Sequence, residues 1–280
     1  KTVIAEGSDM VKLGFMLSLS SLIAMASSYL IRIYISHKGS VDEVGLYNAG
    51  FAIINTYVGM VFTAMSTDYF PRLSGVAHDI GKTREVINQQ AEVAILILAP
   101  ILAVFLIFIT WVVILLYSTR FLPVVNMIHW AALAIFFKAA SWPIAYLIIA
   151  KGDSRTFFLS ELAVHIYMLG FNILGYSWYG LEGLGISYLA GYALYLIQVF
   201  VIVRTKYSFS FLWEFVRITG IQFLLGISCF LVSRFLSSPY LYLVGTVLIS
   251  ASVYLSYREL DRRVGLKMLI ADKFLKKKQN

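Results

Sequence analysis

Four ionisable side chains interrupt long apolar stretches of this sequence: Arg32, Lys138, Glu161 and His165. Lipid cannot solvate a charge, so an ionisable group inside a hydrophobic helix faces a water-filled cavity or a partner. Lys138 lies about midway along its stretch, where inserting a cation costs roughly 2.5–3.5 kcal/mol, and it reads as a cavity residue that attracts an anion. Arg32 is near the end of its own stretch, so it either adds charge to that cavity or snorkels to the interface. Glu161 and His165 are one helical turn apart, a spacing at which a carboxylate and an imidazole can share a proton and couple to an ion gradient. The competing readings are snorkelling for Glu161 and plain packing for His165. Asp68 and Arg72, four residues apart, read as a salt bridge.

Uncharged polar residues recur at helical spacing in three of these stretches. Gly14, Ser18, Ser21, Met25, Ser28 and Arg32 form one stripe. Asn48, Ala52, Asn55, Gly59, Thr63 and Ser66 form a second, and Glu161, His165, Met168 and Asn172 a third. Ser28, Asn48, Asn55 and Asn172 are therefore candidate cavity-lining residues, against the competing reading that small and hydroxyl residues serve helix packing. Pro143, after Trp142, is expected to kink or break its helix close to Lys138.

The elements that carry these residues are membrane spans. The chain is 60% hydrophobic and only 14% charged, above the roughly 45–50% apolar content of soluble domains. A span needs about 20 mostly apolar residues, with every backbone polar group satisfied internally. Eight stretches qualify: Val11–Ile35, Val44–Phe70, Val93–Tyr117, Val124–Ala150, Phe157–Tyr176, Gly183–Val203, Phe215–Leu236 and Tyr240–Tyr257. The fold class is all-α, a polytopic transmembrane helical bundle. Turn and charge signals separate the spans, among them Pro71-Arg72, Lys151-Gly152-Asp153, Glu182-Gly183 and Pro239.

The net charge of +8 does not point to nucleic acid, because the basic residues are confined to short inter-span segments and the tail. With eight crossings, one side holds Lys1, Lys12, Arg72, Lys82, Arg84, Lys151, Arg155, Arg204, Lys206, Arg217 and the basic tail, while the other holds only Lys38, Arg120 and Arg234. Loops retained in the cytoplasm are rich in Lys and Arg, so both ends of the chain are expected to be cytoplasmic. The tail 258–280 alternates apolar and basic residues and is expected to lie on anionic membrane lipid. The single cysteine, Cys229, permits no intrachain disulfide. No phosphate-cradling glycine loop, metal-spaced His/Cys cluster or nucleophile elbow is present. The expectation is therefore no enzyme, no metal and no cofactor. The outer connections are too short for the acceptor site of a polysaccharide polymerase, the class-level alternative.

Val44-Gly45-Leu46-Tyr47-Asn48-Ala49-Gly50-Phe51, followed by a polar-striped helix ending Asp68-Tyr69-Phe70-Pro71-Arg72-Leu73-Ser74 and an amphipathic loop, resembles the second lobe of Wzx-type polysaccharide flippases. These belong to the multidrug/oligosaccharidyl-lipid/polysaccharide exporter superfamily. The resemblance implies two six-helix lobes around a central cavity, with residues 1–210 as the second lobe and 211–257 as an additional helix pair. The first lobe is absent from this sequence and would be its partner, in keeping with a chain that begins at Lys1. It further implies a lipid-linked anionic oligosaccharide on undecaprenyl pyrophosphate, moved across a bacterial inner membrane by alternating access for lipopolysaccharide O-antigen or related surface polysaccharide. Lys138 and Arg32 would then shield the pyrophosphate. A drug or cation exporter and a peptidoglycan-precursor flippase of the same superfamily are the rival readings. A cation exporter would be expected to carry mid-depth carboxylates where this chain has Lys138.

Overall fold

The computed structural model describes residues 2–264. Among them are seven helices: α1 (Thr2–Lys38), α2 (Val41–Val76), α3 (Ile80–Leu116), α4 (Val125–Ala150), α5 (Ser154–Tyr207), α6 (Trp213–Phe235) and α7 (Tyr240–Val264). A short 3-10 turn over Thr119–Val124 leads into α4. Each helix is long and apolar enough to cross a bilayer.

The eighth crossing is inside α5. A straight helix of 54 residues would be about 80 Å long. Instead, Gln198 Nε2 donates to Ser160 Oγ at 2.8 Å, Tyr195 Oη to Glu161 Oε1 at 3.3 Å, and Ser187 Oγ to the Phe171 carbonyl at 2.6 Å. Residues so far apart in sequence meet only if the chain reverses, and the reversal is at Gly180, with φ 56° and ψ −137°. That conformation is open essentially to glycine alone. The arms 154–179 and 181–207 are thus antiparallel, each about 40 Å long and sufficient to span. Gly175 and Gly183 let the arms meet backbone to backbone, since a side chain at either would strike the other's carbonyl.

Local signals start the helices where polar residues stand. Ser40 Oγ accepts from the Glu43 amide at 3.2 Å, Asp79 Oδ1 from Lys82 at 3.1 Å and Asp153 Oδ1 from Thr156 at 3.1 Å, each satisfying an otherwise orphaned donor. Proline proves a weaker signal. Pro71 and Pro143 both lie inside continuous helices: α2 runs on to Val76 and α4 to Ala150. The predicted stop at Pro71 is therefore absent, and Pro143 does not break α4. Tyr69 Oη donates to the Pro143 carbonyl at 2.7 Å, tying α2 to α4 at that point.

Helix α4 is the centre of the bundle, buried along most of its length, including Ile128, Ala131, Ile135, Phe136, Ala139 and Ile144. A helix apolar on every face belongs inside. It packs on α3 through Leu98, Leu102 and Leu106, and a second cluster of Tyr69, Leu73, Ile87, Leu147, Val199 and Val203 closes the bundle toward one end.

The two ends differ in charge. At one, Arg72 Nη2 meets Gln90 Oε1 at 3.0 Å, Arg84 Nε the Ser210 carbonyl at 3.1 Å, Lys206 pairs with Asp153 at 2.9 Å, and Arg263 pairs with Glu92. Arg72 thus turns to Gln90, not to Asp68 as its spacing suggested. Burial pushes the Asp153 carboxyl up, but donors on Lys206, Thr156 and Tyr207 outweigh it and hold the group well below the usual carboxylate range. At the other end Glu182 accepts from Trp130 Nε1 at 2.9 Å and from Arg234 at 2.7 Å, and Tyr176 donates to Glu43 at 2.6 Å. The basic residues that the sequence assigns to one side do gather at one end. The tail beyond Val264 lies outside the described residues.

Candidate functional site

A chamber of about 570 Å3 opens between α1, α2, α4 and both arms of α5. Helix α4 contributes Lys138, Ser141, Trp142 and Tyr146, the first arm of α5 Phe157 and Glu161, and the second arm Tyr192 and Tyr195. Leu17 of α1 and Phe70 of α2 complete it. The α5 hairpin is what assembles this wall, because it returns Tyr192 and Tyr195 to the level of Glu161.

Lys138 reaches into the chamber between two aromatic faces. Its ammonium stands 5.5 Å from the centre of the Phe62 ring and 5.4 Å from that of Tyr192. Ring quadrupoles hold a cation at such distances without neutralising it, and among the described residues no carboxylate pairs with Lys138. Glu161 lines the same chamber, accepts a hydrogen bond from Tyr195 and lies 3.9 Å from His165 Nε2. It also lines a second space of about 320 Å3, bounded by Ser18, Ser20, Ser21 and His165. Ser20 Oγ is buried there with no partner among the described residues. Glu161 therefore joins two adjoining spaces, one containing the ammonium and one lined by α1 hydroxyls.

The other sequence candidates lie elsewhere. Arg32 donates through Nε to Asn48 Oδ1 at 2.9 Å and rests 5.5 Å from the Tyr29 ring centre, outside the chamber. Lys138 and Arg32 are thus not brought together. Asn48 and Asn55 are exposed on α2, and Ser28 is half-buried on α1. Asn172 is further along the first arm of α5, its Oδ1 buried without a partner among the described residues. The third sequence stripe consequently divides: Glu161 and His165 face polar space, whereas Met168 packs over Gly191 of the second arm.

Hydropathy and charge overlook the aromatic part of this site. Tyr188, Tyr192 and Tyr195 recur at i, i+4 and i+7, which places them on one helical face. Two of them, Tyr192 and Tyr195, join Trp142 and Tyr146 to make aromatic rings prominent in the lining around one ammonium and one carboxylate. Such a surface can stack on sugar faces, hydrogen-bond hydroxyls and attract an anion.

Fold and site together define a multi-pass helical membrane protein with a largely apolar, aromatic chamber that holds one ammonium and one carboxylate. The family described as "Polysaccharide biosynthesis protein" matches residues 3–126. Proteins named "Lipid III flippase" from Escherichia coli (strain K12) and Shigella flexneri are each 25% identical over 186 residues, covering 66% of this chain and 44% of their own. The chain thus spans less than half the length of these relatives. The solved structure titled "Lipid II flippase MurJ, inward closed conformation" shares the fold, with a TM-score of 0.62 at 11% identity over 88% of this chain and 53% of that one. These matches bear out the resemblance to flippases of the multidrug/oligosaccharidyl-lipid/polysaccharide superfamily.

Proposed function

We propose that this chain is the C-terminal half of a flippase for a lipid-linked oligosaccharide carried on undecaprenyl pyrophosphate, working in the bacterial inner membrane toward O-antigen or a similar surface polysaccharide. The observation that carries this reading is the chamber, where an unneutralised ammonium on Lys138 stands among sugar-compatible aromatic rings. A pyrophosphate is a concentrated anion, and a fixed cation in a low-dielectric passage lowers the barrier to its crossing. In this reading α1 to α5 supply the six crossings of one lobe, and α6 and α7 the additional pair. Ser18, Ser21, Asn48, Asn55 and Thr63 are exposed along α1 and α2, a face unsuited to lipid. That face meets the other lobe across the passage, the two lobes alternate access, and both ends of the chain are cytoplasmic.

Glu161 favours one second reading, a cation exporter, because it places a carboxylate in the same chamber as Lys138. The test is reconstitution of the full-length protein in vesicles with three cargoes supplied separately: an undecaprenyl-pyrophosphate oligosaccharide, a lipid-linked peptidoglycan precursor and an organic cation. Translocation of the first above the other two supports the proposal. Preference for the precursor moves the protein to cell-wall synthesis, and export of the cation with neither lipid moved overturns the flippase reading.

A further inference from the structure

Remote from the Lys138 chamber, at the basic end of the molecule, α3, α6 and α7 enclose a separate pocket of about 270 Å3. Its charged lining is Arg217, Arg258, Arg262 and Glu259, so three guanidinium groups against one carboxylate leave two net positive charges. The remaining lining is largely apolar, and Leu96 and Ile218 within it are almost fully buried. The charged residues stand at the start of α6 and in the last turns of α7, where apolar helix gives way to polar surface. The pocket therefore joins cation and hydrocarbon at the level of a bilayer interface.

Glu259 and Glu92 leave it a net cation. Arg217 lies 3.8 Å from Glu259, and Arg263 is taken by Glu92, itself buried on α3. Arg258 and Arg262 are one helical turn apart on the same face, where like charges repel, and among the described residues neither has an ion pair or hydrogen bond. An anion between them would relieve that repulsion. The pocket wall is also fixed in register: the buried Gln222 donates to Ser256 Oγ at 2.8 Å and accepts from Ser252 Oγ at 2.8 Å, clamping α6 to α7. Guanidinium forks in a rigid setting match phosphate oxygens two at a time.

We propose that this pocket is a binding site for an anionic phospholipid of the surrounding membrane, with the phosphate held by Arg258 and Arg262 and the first methylenes of an acyl chain on the apolar wall. The site is independent of the transported cargo and holds the α6–α7 pair against α3 at the interface.

The test uses the purified full-length protein and phosphatidylglycerol, with bound lipid counted by native mass spectrometry. Each basic residue near an anionic surface contributes roughly a kilocalorie, so the Arg258→Gln/Arg262→Gln variant is expected to retain about thirty-fold less phosphatidylglycerol than wild type. Arg258→Lys/Arg262→Lys should recover only part of the binding, because an ammonium keeps the charge but not the paired N–H fork. Ile221→Trp, which fills the apolar wall and leaves every charge in place, should also reduce it, and it decides the question if the double glutamine variant does not fold. Zwitterionic phosphatidylcholine should bind wild type weakly. Retention of phosphatidylglycerol at wild-type level by Ile221→Trp or by a folded double glutamine variant overturns the proposal, as does phosphatidylcholine binding equal to phosphatidylglycerol. Displacement by millimolar inorganic phosphate would make it a free-anion site, and displacement by equimolar undecaprenyl pyrophosphate a cargo site, and either result overturns the phospholipid assignment.

Discussion

Lys138→Ala in the full-length protein separates the electrostatic role of this side chain from its part in folding. For folding, two effects oppose each other. A mid-span ammonium costs roughly 2.5–3.5 kcal/mol to insert, while its two ring contacts at 5.5 and 5.4 Å each return about 0.5–2 kcal/mol. Removing both together stabilises by at most about 2.5 kcal/mol or destabilises by at most about 1.5 kcal/mol, so the protein should insert and accumulate normally. For transport the terms do not cancel. A charge-assisted hydrogen bond to a phosphate oxygen is worth about 1.5–3 kcal/mol, which corresponds to a roughly ten- to hundredfold loss of flipping. Lys138→Arg should retain more activity, since the charge survives with altered geometry. The assay is translocation of an undecaprenyl-pyrophosphate oligosaccharide in proteoliposomes, normalised to protein amount. Flipping by Lys138→Ala within twofold of wild type, at equal protein level, would refute the cationic-chamber argument.

Three further outcomes are expected. Glu161→Gln should weaken the dependence of transport on the ion gradient while leaving substrate binding largely intact, because Glu161 joins the ammonium chamber to the hydroxyl-lined space beside His165; an unchanged gradient response would make the pair structural. In a Cys229→Ser background, cysteines at Ser40 and Ser238 should react with an impermeant thiol reagent outside intact spheroplasts and those at Gly81 and Gln279 should not; external labelling at Gly81 would reverse the orientation. Asp153, whose carboxyl is held low in the folded state, should contribute stability at pH values above the usual carboxylate range and lose it as pH falls through its lowered value. The Tm difference between wild type and Asp153→Asn should therefore be steady between about pH 7 and 5 and shrink below about pH 4; a difference that vanishes near pH 6 would contradict the Lys206 clasp.

Hydropathy by itself determined the architecture here: predominantly apolar runs of span length have one stable solution in a bilayer, and eight such runs make an eight-crossing bundle. The break between the spans ending at Tyr176 and starting at Gly183 was also legible, and the chain reverses inside it, at Gly180, where the backbone conformation excludes other side chains. The segregation of basic residues to one end was legible too, because charge is excluded from the hydrocarbon whatever the packing. What one-dimensional pattern lacks is the rotation of each helix about its axis and the choice of neighbour, which depend on how side chains interlock. Only tertiary packing placed Lys138 and Glu161, 23 positions apart in the sequence, on the walls of one chamber. It also sent Arg32 to Asn48 instead, and turned Arg72 from Asp68 to Gln90. Pro143, which reads locally as a kink or a break, does not break α4, and its carbonyl is held by Tyr69, because the surrounding bundle constrains the helix more strongly than one missing backbone donor disrupts it.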